Sequence, residues 1–335
     1  MLGGATVAYE QAVKWAKYRH QFDRAIAEFD LMQDKIAHMG ALVYAMDGML
    51  YATTGFLDRH DQDIMLETAL CKVFCSEMGY RVVNDAMQIM GGESYMTENS
   101  VERIWRDSRI NIIVEGANEV MHSFIFAYGS KQLGEWMLGV KKNPAKHLGS
   151  AMQIGSELFL GVRRPLPSFK STDPRLNGMM HELMMRIREF SHQVKLMFKE
   201  WEDKLVTEQT IQARLSMCAI YIHAMTCALS KLDHNMRKGL DGEALAFAAV
   251  GGFVHCLKVS GGDAKKRLCA RPMRGVIGHV DLRDNIGRNA FAVHFINQCR
   301  QTIGQIIERR ARGEIWFGIK EARDQAGEFE PAAKG

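Results

Sequence analysis

The sequence predicts an all-α protein, an antiparallel four-helix bundle followed by a second helical domain. Three observations carry this expectation. No proline occurs before position 144, and the good helix formers Ala, Leu, Met, Glu and Lys dominate that stretch. Apolar residues recur every three or four positions over long runs. Nowhere do apolar and polar residues alternate for long enough to make a strand.

The elements follow in order. Residues 4–20 place Val7, Ala8, Ala12 and Trp15 at helical spacing. Residues 22–30 break the pattern. A second helix is expected over 31–60, with a stripe of Ile36, Met39, Val43, Met46 and Leu50. Asp61, Gln62 and Asp63 read as a turn and N-cap. A third helix over 64–90 turns Leu66, Leu70, Val73, Phe74, Met78, Val82, Ala86 and Ile89 inward. Gly91 and Gly92 end it, because glycine takes the left-handed conformation that closes helices. Residues 93–114 form a loop with a short helix over 101–110, and a fourth long helix spans 118–138. Long helices so joined pack as a bundle over 1–140.

Pro144, Pro165, Pro167 and Pro174 then cluster, which predicts a linker over 141–176. Helical spacing resumes over 179–202 and 208–238. Glycine pairs follow at 251–252 and 261–262, and residues 286–312 are apolar at helical spacing again. A helical extension is therefore expected over 177–325, ending in a polar, frayed tail over 326–335. The mix of apolar and basic residues over 179–202 also permits peripheral contact with a membrane, against the plainer reading that this helix packs on the bundle.

Composition excludes several classes. A chain of 335 residues is long enough for two domains and a large core. The net charge is +4 and no basic stripe is interleaved with aromatics, so nucleic acid is not expected as a partner. The seven cysteines form no CxxC pair; they read as buried thiols in a reducing compartment, with no metal site. No targeting segment is visible at the start, and no uncharged apolar run reaches membrane-spanning length. The expected location is the cytoplasm of a bacterium or the mitochondrion of a eukaryote. The 22 methionines read as core filler between helices.

Four segments carry a family likeness. They are Arg19-His20-Gln21-Phe22; Gln88-Ile89-Met90-Gly91-Gly92 followed by Tyr95; the run from Val101 to Ile110 (VERIWRDSRI); and Ile113-Val114-Glu115-Gly116-Ala117-Asn118-Glu119. In this order and spacing the chain resembles the carboxyl-terminal helical domain of acyl-CoA dehydrogenases, with the wording and long tail of the very-long-chain branch.

The resemblance implies an FAD-dependent oxidoreductase of fatty acid β-oxidation. It removes the α proton of a fatty acyl-CoA while the β hydride moves to flavin N5. Such a weakly acidic proton needs a close carboxylate and donors to the thioester oxygen. The resemblance gives the base role to Glu115, whose apolar neighbours Ile112, Ile113 and Val114 would favour a raised pKa. Its backbone amide becomes a candidate donor to the thioester, and Gly116 allows close approach of substrate. Arg19 is implied to reach the flavin diphosphate across a dimer interface, where its planar fork donates two bonds at once. His20, Gln21 and Phe22 lie beside it, and Phe29 and Asp30 fall where the family also touches cofactor. Gln88, Ile89, Met90, Gly91 and Gly92 correspond to a turn at the adenosine end of the partner subunit's flavin, and Ala117, Asn118 and Glu119 to contacts after the base. Glu102, Arg103, Arg106, Asp107 and Arg109 are read as ion pairs that steady the loop before the base. Taken without the resemblance, Glu115 is a first-turn glutamate favoured by the helix dipole, and the glycine pair is a plain C-cap.

The chain departs from the family pattern at Asp23 and Ala117, where glycine and threonine are usual, at nonaromatic Val114, and at Ser94, often glycine. The family's amino-terminal and middle β domains precede the matched region, and Met1 falls inside what should be the first helix of the third domain. A truncated enzyme is therefore expected. Either a separate chain supplies the missing part, or the start is misassigned, or the chain is a remnant. A homodimer or homotetramer and an acceptor such as electron-transfer flavoprotein are the implied partners. The competing reading is a noncatalytic helical assembly or scaffold protein that retains the family's dimer surface.

Overall fold

The structure, a computed structural model, describes residues 1–59, 63–143, 145–167 and 173–239. The expected glycine patch at 251–262, the helix over 286–312 and the tail lie outside the described residues. So do His60, Asp61 and Gln62.

Four long helices match the periodicity: α1 (Leu2–Tyr18), α2 (Asp30–Asp58), α3 (Met65–Met90) and, after the short α4 (Gly92–Tyr95) and α5 (Ser100–Ser108), α6 (Asn118–Lys142). Helix α3 is central and touches α1, α2 and α6. The seam between α1 and α3 is lined on the α1 side by Ala5, Ala8, Ala12 and Ala16, all fully buried. Small side chains at this spacing let the two helices lie close together. A two-stranded hairpin, β1 (His20–Gln21) with β2 (Arg24–Ala25), fills the break after α1. Asn99 caps α5 by accepting from the Val101 N–H at 2.9 Å.

Helix α7 (Leu148–Phe159) lies inside the stretch expected to be a linker. The flanking prolines mark its ends, while the run between them is free of proline. Beyond it come α8 (Asn177–Trp201) and α9 (Gln209–Lys238). Helix α9 packs against α2, α3 and α6, and Ile220, Ala224, Met225, Ala228, Leu229 and Leu232 join the same core as α1–α3. The approach to α2 is close: a Cβ on Gly48 would lie 3.3 Å from the Cys227 carbonyl oxygen. Helix α9 is apolar enough by length and composition to cross a membrane, yet half of that stretch is buried in the bundle. Helix α8 packs on α9, and its Val194 and Met197 meet Leu205, Ile211 and Leu215 in a second cluster backed by Phe126 and Leu133 of α6.

Candidate functional site

The segment before α6 runs through a 3-10 turn, Arg109–Ile112, and then reverses. Glu115 and Gly116 both take positive φ, 56° and 90°. A non-glycine residue in this region costs roughly 1–2 kcal/mol, so the surroundings must impose it. They do so through Lys72 of α3, whose ammonium donates to the Gly116 carbonyl and to Asn118 Oδ1, each at 2.6 Å. Asn118 is 2% exposed, and its Nδ2 donates to Ser76 Oγ at 3.0 Å and Glu77 Oε1 at 3.2 Å. Glu77 in turn faces His122 Nε2 at 3.8 Å, and His122 Nδ1 lies 2.6 Å from Ser216 Oγ on α9. The turn is thus tied through α3 and α6 to α9. Burial lowers the Lys72 pKa, against the raising influence of Glu119, Glu77 and Glu115. A Cβ on Gly116 would lie 2.9 Å from Met121 Sδ.

Glu115 itself is exposed, and its neighbours Ile113 and Val114 are 53% and 40% exposed. The apolar niche expected around it is not built by this chain's described residues, because those two side chains face outward with it. Among the described residues no hydrogen bond occupies the Glu115 N–H.

A second group of expected residues lies at the other end of the bundle. The hairpin turns through Phe22 and Asp23, both at positive φ (53° and 64°), as the twist of a two-residue β turn requires. Phe22 is 86% exposed and meets Phe29 edge-on at 6.3 Å, while the Arg24 guanidinium sits 4.0 Å over the Phe29 ring. Arg19, His20, Gln21 and Asp30 are exposed beside them. Lys35 donates to Asp85 at 2.8 Å and holds the start of α2 to the end of α3. The hairpin therefore shares its end of the bundle with Gln88, Gly91 and Gly92, which are also exposed. Gly91 has φ 64° and ψ −141°, open to glycine but outside the left-handed helical region that was expected. A Cβ at Gly91 or Gly92 would meet no atom of the described residues within 4 Å, so among them that backbone is open to an approaching group. Ile89 and Met90 point into the core, at 4% and 6% exposure, and are structural. The Ser94 hydroxyl donates to the Met87 and Gly91 carbonyls and closes this turn.

The two groups are far apart on one chain. Gly91 lies about 19 residues beyond Lys72 on α3, roughly 28 Å at the rise of an α-helix.

A family model, the acyl-CoA dehydrogenase C-terminal domain, matches residues 1–128. Residues 1–128 belong to the acyl-CoA dehydrogenase family. The mitochondrial very long-chain specific acyl-CoA dehydrogenase of Mus musculus is 32% identical over 235 residues, covering 68% of this chain and 36% of that protein. The 3-(aryl)acrylate reductase of Clostridium sporogenes is 38% identical over 124 residues, covering 37% of this chain and 33% of its own length. The structure of an acyl-CoA dehydrogenase from Bacillus anthracis complexed with FAD aligns with TM-score 0.61 at 21% identity, over 92% of this chain and 54% of that one, a likeness of fold. The chain spans about a third of the length of the curated relatives it matches.

Of the residues that the family pattern marks after the base, Ala117 is half-buried and Glu119 exposed. The Asn118 side chain is buried and engaged with Lys72, Ser76 and Glu77 of α3, so it holds the turn. The charged run before the base forms two pairs along α5, Glu102 with Arg106 at 3.1 Å and Arg103 with Asp107 at 3.5 Å. These pairs stay on the helix and do not reach the turn, which Lys72 holds instead. Sequence reasoning missed Lys72, Ser76, Glu77 and His122. Lys72, Ser76 and Glu77 lie beside the apolar stripe of the central helix, where their local pattern is that of a solvated face.

Proposed function

We propose that this chain is the base-bearing part of an FAD-dependent acyl-CoA dehydrogenase acting on a fatty acyl-CoA, with Glu115 taking the α proton. The observation that carries this reading is the strained Glu115–Gly116 turn, exposed at its tip and anchored at its back by Lys72. Strain held in place by a buried network is the usual mark of a positioned side chain. The unoccupied Glu115 N–H is a donor for the thioester oxygen, where negative charge develops as the proton leaves. The exposed carboxylate gains a water-excluded setting when substrate and the rest of the cleft close over it.

The other end of the bundle fits a dinucleotide. Arg19 is exposed and makes no ion pair among the described residues, and the glycine pair leaves room for a ribose or phosphate. Arg19, Gln88, Gly91 and Gly92 would hold the diphosphate and adenosine. Asp23 works against this with its negative charge, and Ala117 offers no hydroxyl. FAD supplies the hydride acceptor when bound. The roughly 28 Å between this end and Glu115 supports two flavins per pair of copies: one chain's Arg19 serves the flavin that faces the partner subunit's base. A homodimer or homotetramer follows, with a surface from another polypeptide region completing the cleft and an acceptor such as electron-transfer flavoprotein taking the electrons. Relatives whose names place them in mitochondria support that location for a eukaryotic source.

The test is to purify the affinity-tagged full chain from its own cells with its bound partners. This reading expects visible flavin absorption in the purified material. A colourless, stable oligomer that binds no acyl-CoA would favour the scaffold reading instead.

A further inference from the structure

A cavity of about 200 Å³ lies between α7, the 162–167 segment and α8, away from both groups described above. Glu157, Arg164, Arg188, Ser191, His192 and Lys195 line it. Glu157 and Lys195 are 3% and 2% exposed and form an ion pair, and the Arg164 Nε donates to the other Glu157 oxygen at 2.7 Å. That carboxylate is fully used. Arg163 reaches Glu189 at 3.5 Å. Arg188 makes no ion pair among the described residues. Its Nη2 rests on the Met185 sulfur at 3.1 Å, a weak acceptor, and its Nε is buried without a hydrogen-bond partner among the described residues. Three cations (Arg164, Arg188 and Lys195) thus line the cavity with one carboxylate (Glu157), while Arg163 and Glu189 pair with each other outside its lining. An enclosed guanidinium N–H left without an acceptor is costly unless an anion meets it.

We propose that this cavity binds an oxyanion of the phosphate class, inorganic phosphate or a phosphate monoester, held by Arg188 and Arg164 with the Ser191 hydroxyl. A dianion matches the surplus of two charges, and planar guanidinium groups suit its paired oxygens. Burial and the Arg163 charge lower the His192 pKa against the raising influence of Glu189 and Glu157, and its ring can donate one hydrogen bond in either protonation state.

The experiment follows the melting temperature of the full chain against inorganic phosphate and, separately, glycerol phosphate, with chloride holding ionic strength constant. A saturable rise beyond that given by chloride is expected. Response to inorganic phosphate alone assigns the free ion; equal or tighter response to glycerol phosphate assigns the monoester. In Arg188→Gln the apparent affinity falls by about tenfold or more, while the melting temperature without phosphate stays equal or rises, because an enclosed N–H without an acceptor is gone. A merely structural arginine would instead lower it. Should that variant not fold, Arg164→Gln, at a position 43% exposed, is expected to lose the same response. A wild-type response no greater than that to chloride, or one retained in the folded variant, overturns the proposal.

Discussion

The Lys72 ammonium sits 2.6 Å from the carbonyl oxygen of Gly116 and joins the middle of the bundle to the turn that carries Glu115. Lys72→Met keeps the apolar stem and removes both hydrogen bonds. Global stability is expected to fall by about 1–3 kcal/mol in urea unfolding, since Asn118 also loses a charged donor. Hydrogen exchange is expected to quicken at residues 113–117 before it does in α1 or α2.

Glu115 takes φ 56°, where asparagine is at ease and glutamate is not. Glu115→Asn is therefore expected to raise stability by about 0.5–1 kcal/mol, read as a higher denaturation midpoint. The same variant cannot remove an α proton, because an amide is no base. Gain in stability with loss of turnover is the signature of a residue kept for chemistry.

Ala12 is fully buried where α1 packs on α3. Ala12→Leu adds bulk to a seam with no room for it, and is expected to cost about 1–3 kcal/mol or more. Melting of the purified variant checks this. The expected loss is larger than for Val7→Leu, at a position 44% exposed on the same helix.

His38 of α2 is mostly buried with no partner at Nε2 among the described residues, and burial, aided by Arg81, lowers its pKa to about 4. Between about pH 6.5 and 4 the unfolded chain takes up this proton and the folded chain does not. Stability is therefore full above pH 6.5 and falls as pH drops, by up to about 3 kcal/mol from this group. Urea midpoints measured across that range are expected to slope less steeply in His38→Leu.

The helices were legible because their buried faces repeat at helical spacing. The expected spans 31–60, 64–90 and 208–238 differ from α2, α3 and α9 by at most two residues at each end. Glycine and aspartate signals marked the ends. The hairpin at His20–Ala25 was not legible, because it depends on Phe22 adopting a conformation its side chain disfavours. Helix α7 was hidden by the prolines that bracket it. The place of α9 in the core shared with α1–α3 could not be read either, since helical spacing shows that a face is buried but not against which neighbour. At the site, the motif located Glu115, yet the lysine that holds it lies more than forty positions earlier in sequence. No local pattern connects them; only the packing of α3 on the start of α6 does.

The central claim is that Glu115 removes a proton from an acyl-CoA held against FAD. The direct measurement is anaerobic addition of palmitoyl-CoA to the tagged chain and to Glu115→Gln, each purified from native cells with its partners, while flavin absorption is followed. The account predicts bleaching in the wild type and none in the variant, with equal flavin content in both. Bleaching that persists in the variant, or wild-type material that holds flavin and does not bleach with any chain length of acyl-CoA, would contradict it.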